Sequence, residues 1–156
     1  MPQGLIQPNN AILYAGEPVY GEYEVETVTT VAPGRLLITG TAEYQAKVAT
    51  AASLGVIGVA DVMADKKLTL MQTEIATGVP LTTYAVKDQL RVIRGDVVVK
   101  LLLKSGETVT VGERVEAAAN GMCQAYTTAL ADVGYSLQNS TAPATVCEWI
   151  LVKLTI

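Results

Sequence analysis

The fold of this chain is decided by residues 89–123, which read QLRVIRGDVVVKLLLKSGETVTVGERVEAAANGMC. From Val97 to Leu103 every second residue is Val or Leu, while Lys100 and Lys104 fall on the opposite side of an extended chain. Alternation with a period of two is typical of a β-strand that buries one face and exposes the other. The segment therefore predicts a strand whose lysines lie on the wetted face.

Tight turns interrupt this stretch at short intervals. Ser105-Gly106 turns the chain, and residues 108–111 then alternate Thr and Val before a second turn at Gly112. Asn120-Gly121 predicts a hairpin, because both residues tolerate the positive φ of a type I′ turn. Together these signals predict a β-meander of three or four short strands.

The composition is that of a folded domain with an aliphatic core. Half of the 156 residues are apolar and 17% are charged, which excludes a disordered chain. Phe is absent and there is a single Trp, so Val, Leu, Ile and Ala must fill the core. The mean hydropathy of +0.34 is high for a monomer. It indicates either a well-filled core or apolar surface buried against other chains. The length predicts one domain.

The charge pattern indicates neither a nucleic-acid nor a membrane partner. The net charge is −4, and the eleven basic residues are scattered rather than gathered into a stripe that could neutralise phosphates. The run from Val48 to Ala60 is free of charge but is too short to span a bilayer. Residues 1–10 have neither the positive nor the apolar region of a secretion signal. We therefore expect synthesis in a cytoplasm.

The two cysteines, Cys123 and Cys147, match no zinc-ligand spacing, and the sequence has no His to complete such a site. In a reducing compartment we expect both to be buried thiols that pack as small apolar side chains, with a disulfide as the alternative.

Residues 1–14 show no periodicity and carry two prolines and the pair Asn9-Asn10, which predicts an extended N-terminal arm. Such an arm is either a frayed end or a strap laid across a neighbouring subunit. Its candidate contact residues are Pro2, Leu5, Ile6 and Pro8.

A second candidate for contacts is an acidic row in the strand that follows. Glu22, Glu24 and Glu26 alternate with Tyr23, Val25 and Thr27, so the three carboxylates share one face. The row could gather Ca²⁺ or meet a basic partner. The alternative is a solvated strand face that discourages aggregation between edges.

Residues 15–156 are expected to form one all-β domain with a loop excursion at 61–81. The order of turns and strands occurs twice, first around Gly34 and Gly58 and then around Gly112 and Gly134. Two similar β units predict a compact β-barrel or a β-tulip or sandwich built from short antiparallel strands.

Known catalytic motifs are absent from the sequence. Without His there is no histidine-based triad and no ordinary catalytic zinc site, and neither a nucleophile elbow nor a phosphate-binding loop is present. The hairpin tip Ala119–Met122 lacks the lysine that a biotinyl or lipoyl carrier domain needs. We expect no enzymatic activity, no catalytic residue, no cofactor and no metal.

Seven short turn-and-strand segments of the sequence form a recognisable set, namely Val31–Leu36, Gln45–Ala49, Gly58–Asp61, Tyr84–Gly95, Leu101–Gly106, Gly112–Val115 and Ala118–Met122. Together these segments resemble the capsid cement, or head decoration, proteins of tailed viruses of bacteria and archaea. The resemblance implies a virion structural protein on the outer capsid surface. It would bind the major capsid protein of an expanded HK97-type shell, commonly as a homotrimer that bridges capsomers.

Two other functions stay open from the sequence. One is a tail-tube or fibre-associated virion β-module, and the other is a small ligand-binding β-barrel. If the arm contributes to capsid binding, deletion of residues 2–14 should leave the fold intact and weaken that binding.

Overall fold

A computed structural model describes residues 11–26, 31–51, 53–62, 83–127 and 132–156. These residues contain one 3-10 turn, Ala119–Gly121, and a series of short strands. In chain order the strands are β1 (Leu13–Ala15), β2 (Val19–Val25), β3 (Leu36–Thr39), β4 (Gln45–Val48), β5 (Val56–Ala60), β6 (Gln89–Arg94), β7 (Val98–Leu103), β8 (Thr108–Val109), β9 (Arg114–Ala117), β10 (Cys123–Ala125), β11 (Gly134–Ser136), β12 (Ser140–Thr141) and β13 (Glu148–Leu154).

The first half of the chain forms a closed barrel in the order β2-β4-β3-β5-β6. Its neighbours are antiparallel except β2 and β4, which run parallel. Apolar side chains from all five strands fill the interior, because alternate residues of each strand point inward. They include Val25, Leu37, Ala46, Ala60, Leu90 and Val92.

The second half forms a sheet in the order β7-β10-β9-β11-β13, and β13 pairs back onto β7. The pairing therefore closes a second ring, in which only β7 and β10 run parallel. Strand β1 pairs with β7 beside β10, and β8 and β12 form a separate two-stranded sheet.

The two rings share one topology, strand for strand. In the first, Val25 pairs with Ala46 across the parallel neighbours, and Leu37 pairs with Gly58. In the second, the corresponding pairs are Leu103 with Cys123 and Val115 with Gly134. The two β units that the sequence pattern predicted are thus structural repeats, and each closes into its own barrel.

A common core joins the two barrels. One cluster of buried residues includes Leu36, Val59 and Ile93 from the first barrel and Leu101, Val115 and Ile150 from the second. The turn Ala119–Gly121 of the second barrel also rests on the first. There Gly121 N donates to Ala49 O at 2.9 Å and Arg35 Nη1 donates to Asn120 O at 3.3 Å.

The all-β barrel fold that the sequence predicts is confirmed, as is the positive φ at Asn120 (57°) and Gly121 (70°). Two details differ. The wetted face predicted for β7 is wrong at Lys100, which is 3% exposed, because the outer face of this barrel is covered along β7, where Leu102 is fully buried as well. The arm predicted for residues 1–14 does not extend to its last residues, since Ile12 is fully buried and β1 begins at Leu13. The excursion predicted at 61–81 lies mostly outside the described residues.

Candidate interaction surface

The described residues do not assemble a metal or redox centre. They contain no group of three or more His, Cys, Asp or Glu side chains that could hold a metal ion. Cys123 and Cys147 are free and buried, and burial raises the pKa of the Cys123 thiol. Cys147 Sγ lies 3.6 Å from Met122 Sδ in a small apolar cluster. Both thiols therefore act as core residues.

No helix in the described part of the chain combines the length and the apolar character that crossing a membrane requires.

Exposed aromatic and charged side chains lie together on the outside of the first barrel along β2 and β6. We call it the first-barrel face and define it by Tyr20, Glu22, Gln89 and Arg91. Register pairs Glu22 with Arg91 and places Tyr20 two residues further along the same side of β2. Tyr20 is 44% exposed, and Glu22, Gln89 and Arg91 are also exposed.

The Arg91 side chain of this face is held in place by contacts within the first barrel. Its Nε and Nη2 donate to Asp61 Oδ2 at 2.9 and 2.7 Å, and its guanidinium lies 4.4 Å from the centre of the Tyr20 ring. The hydrogen bonds that Arg91 donates to Asp61 raise the pKa of Arg91. Asp61 is itself held, because its backbone carbonyl accepts a hydrogen bond from the buried Tyr84 hydroxyl. The arginine and the tyrosine are thus ordered before any partner binds, which reduces the entropy cost of binding.

The acidic row divides into three different environments. Glu22 is exposed, whereas Glu24 is half-buried, with Gln45 Nε2 lying 3.4 Å from its Oε1. Glu26 is only 9% exposed, accepts hydrogen bonds from the Thr41 N–H and hydroxyl, and lies 3.7 Å from Lys47 Nζ. Glu26 is therefore occupied within the barrel, and Glu22 is the member of the row that faces solvent freely enough to meet a partner.

The other residues selected from the sequence, Pro2, Leu5, Ile6 and Pro8, lie outside the described residues. Sequence reasoning missed Tyr20, Asp61 and Arg91 as a group. Arg91 carries a local signal, because it alternates with the inward-facing Leu90 and Val92. Its pairing with Asp61, 30 residues away, depends on the closure of the barrel.

The fold defines this chain as a duplicated β-barrel protein. Its sequence matches no protein-family model and no curated protein. Among solved structures the fold is similar to the N base of the head fiber gp8.5 of bacteriophage phi29, with a TM-score of 0.53. The match has 11% sequence identity and covers 89% of this chain and 95% of that chain. At this identity the likeness is one of fold, and its coverage extends over both barrels.

Proposed function

We propose that this chain is a structural protein of a phage virion that binds the outer surface of the head as a decoration or cement protein. The observation that carries the proposal is the likeness of its two-barrel fold to the base of a phage head fiber. That neighbour is by name part of a phage head fiber, and a double barrel with a continuous core would suit a protein that binds a shell surface.

The first-barrel face is the proposed contact with the major capsid protein. Tyr and Arg are enriched among residues that dominate binding energy, and here both are ordered and exposed. Glu22 adds a negative charge beside them, which favours a partner surface with a complementary basic residue.

We further propose how the protein binds. Each copy makes weak contacts with an expanded shell, and a homotrimer bridges neighbouring capsomers. Repetition supplies avidity, so the affinity of one copy can be modest. The function is contact, without catalysis, cofactor, nucleic acid or membrane partner. After synthesis in the host cytoplasm, the protein is located on the outside of the virion.

Co-sedimentation with emptied, undecorated heads tests the proposal. We expect the wild-type protein to sediment with heads and Tyr20→Ala to bind at least about tenfold more weakly, the effect of losing one dominant interface residue. The matched control is Tyr135→Ala, which removes a tyrosine that is 38% exposed on the second barrel. A wild-type protein that stays in the supernatant, or that polymerises into tubes, would contradict the proposal.

The arm is tested in the same assay by deletion of residues 2–10. The deletion stops there because Ile12 is in the core and β1 follows it. We expect weaker sedimentation with heads at an unchanged melting temperature. A shortened chain that binds heads as tightly as the full chain would remove the arm from the proposed interface.

A further inference from the structure

The turn Ala119–Gly121 contacts the first barrel through two residues whose types the contact restricts. Asn120 and Gly121 both have a positive φ, 57° and 70°. Asn is one of the few residues besides Gly that enter this region readily. A Cβ built on Gly121 would lie 2.5 Å from Val48 Cγ2 and 2.9 Å from Leu36 O, so the second position must be glycine. The contact between the barrels therefore favours the dipeptide Asn-Gly at this turn.

Asn-Gly is also the dipeptide in which asparagine loses its side-chain amide most readily. The backbone nitrogen of the glycine gives up its proton to a base and attacks the asparagine Cγ. A C–N bond forms and ammonia leaves, which closes a succinimide ring. Glycine favours the reaction because it has no Cβ to hinder the attack. Water then opens the ring at either carbonyl and leaves aspartate or isoaspartate, so that amide and water have become carboxylic acid and ammonia without oxidation or reduction.

The docked geometry prevents this attack in two ways. The ψ angle of Asn120 is 28°, which places its Cβ nearly opposite Gly121 N across the Cα–C bond. Closure of the ring requires these two atoms to be nearly eclipsed. Gly121 is also buried, and its N–H donates to Ala49 O at 2.9 Å, so the proton that must be lost is held in a hydrogen bond. The reaction therefore requires the turn to leave Ala49.

Both barrels hold the turn in its unreactive conformation. From the first barrel, Arg35 is 2% exposed and its Nη1 donates to Asn120 O at 3.3 Å. From the second barrel, Ala118 N donates to Met122 O at 2.8 Å, and Met122 packs in a buried cluster with Leu102. The protection of Asn120 thus depends on contacts that cross between the barrels.

We propose that Asn120 is a deamidation site controlled by the contact between the barrels. While the turn is docked, the amide is stable. When the turn leaves Ala49, ψ is free to change and Gly121 N reaches the Asn120 Cγ. Isoaspartate adds a carbon atom to the main chain, which a turn of 3 residues with a crowded glycine cannot accommodate. A modified turn does not dock again, so a transient opening becomes a permanent loss of the contact, whether or not the chain binds a phage head.

Peptide mapping by mass spectrometry on the full-length protein tests the protection. Folded and urea-unfolded samples are incubated at the same mildly alkaline pH, which speeds loss of the Gly121 N–H proton. We expect Asn120 to lose its amide at least about a hundredfold more slowly in the folded sample, because a closed position reacts only when it opens. Asn139 is exposed and precedes Ser140, and it serves as the control for any effect of urea on the chemistry. Equal rates at Asn120 in the two samples overturn the proposal.

Arg35→Lys separates the local contact from the stability of the whole fold. The variant keeps the charge but loses the hydrogen bond to Asn120 O, so Asn120 should react about tenfold faster in the folded protein, the effect of one hydrogen bond from a charged donor. Arg114→Lys is the matched control, because it makes the same exchange at a side chain that is 59% exposed. It should react at the wild-type rate. Rates that follow only the free energy of global unfolding in all three proteins would overturn the proposal.

Asn120→Gly tests the permanent loss of the contact, since glycine keeps the positive φ and has no amide to lose. Wild type and variant are incubated in urea until Asn120 of the wild type has reacted, and both are then refolded. Wild-type chains that carry isoaspartate should melt at a lower temperature than fresh protein and should differ in the fluorescence of Trp149, which lies against Gly34 at the contact. The variant should match its own fresh sample. Isoaspartate chains that regain the melting temperature of fresh protein would contradict the proposed loss.

Discussion

At the scale of single residues, two glycines occupy equivalent turns with different surroundings. A Cβ on Gly34 would lie 2.7 Å from Trp149 Cζ3 and 3.0 Å from Ile12 Cδ1, whereas one on Gly112 meets no described atom within 4 Å. Their φ angles are 80° and 83°, so Ala carries the same backbone cost at both, about 1–2 kcal/mol. We expect Gly34→Ala to lower the free energy of unfolding by about 1–3 kcal/mol more than Gly112→Ala, measured by urea denaturation.

An equal decrease in the free energy of unfolding for Gly34→Ala and Gly112→Ala would show that the Trp149 ring moves aside without cost. Gly112→Ala is the control for Gly34→Ala, because Gly112 lies in the equivalent turn of the second barrel and has no contact with the other barrel.

A second residue-scale prediction concerns pH. The hydroxyl and N–H of Thr41, with Lys47 nearby, hold the pKa of Glu26 below its ordinary value of 4.5. A carboxylate whose pKa is lowered by folding stabilises the fold above pH 4.5, and this contribution is lost as the pH falls through its folded pKa. Glu26→Gln should therefore be less stable than wild type at neutral pH, and the difference should narrow below pH 4.5.

Urea midpoints measured across this pH range check the Glu26 prediction, with Glu22→Gln as the control for an exposed carboxylate on the same strand. If the urea midpoints of wild type and Glu26→Gln differed by the same amount at every pH, the prediction would be contradicted.

At the scale of strands, β1 marks where the body of the protein begins. Ile12 is fully buried in the core shared by the barrels, whereas Tyr14 is 43% exposed. Ile12→Ala should lower the free energy of unfolding by about 2–5 kcal/mol, the usual cost of emptying a buried aliphatic site. Tyr14→Ala should change it by about 0.5 kcal/mol or less. Similar small effects for both would assign Ile12 to a loosely attached arm.

Strand positions were predictable from the sequence where the signal is local. Alternation in β7, the positive-φ turn at Asn120-Gly121 and the spacing of glycines in the two repeats each depend on a few neighbouring residues. The parallel pairing of β2 with β4 and of β7 with β10 could not be predicted, because it depends on which distant strands close each ring. Burial of Lys100 was missed for the same reason, since alternation does not show whether the outer face of a barrel is covered.

For the candidate surface, the sequence predicts which residues share a strand face but not the environment of each side chain. The alternation of Glu22, Glu24 and Glu26 placed them on one side of a strand, but it could not distinguish a solvent-facing carboxylate from one that is bonded within the barrel. That distinction depends on Thr41, which reaches Glu26 only after the β3–β4 hairpin has folded back. The ordering of Arg91 by Asp61 likewise requires the pairing of β5 with β6.

At the scale of the whole molecule, duplication gives the chain two barrels that depend on one core. The shared cluster includes buried side chains from both, and the hydrogen bond from Gly121 to Ala49 crosses between them. Neither barrel can therefore lose its structure without exposing apolar surface on the other. The proposed binding to a head surface would use this coupling, because it joins the two barrels through one core.

The coupling predicts one cooperative unfolding transition. Trp149 lies against Gly34 at the contact between the barrels, so its fluorescence reports that contact, while far-UV circular dichroism reports the strands of both. The two urea midpoints should coincide. Leu101→Ala in the second barrel, costing about 2–5 kcal/mol, should lower hydrogen-exchange protection of β5 in the first barrel as much as that of β13. A fluorescence transition that precedes the loss of strands, or protection of β5 that survives the substitution, would mean that the barrels fold independently. The shared cluster would then be an interface between two domains.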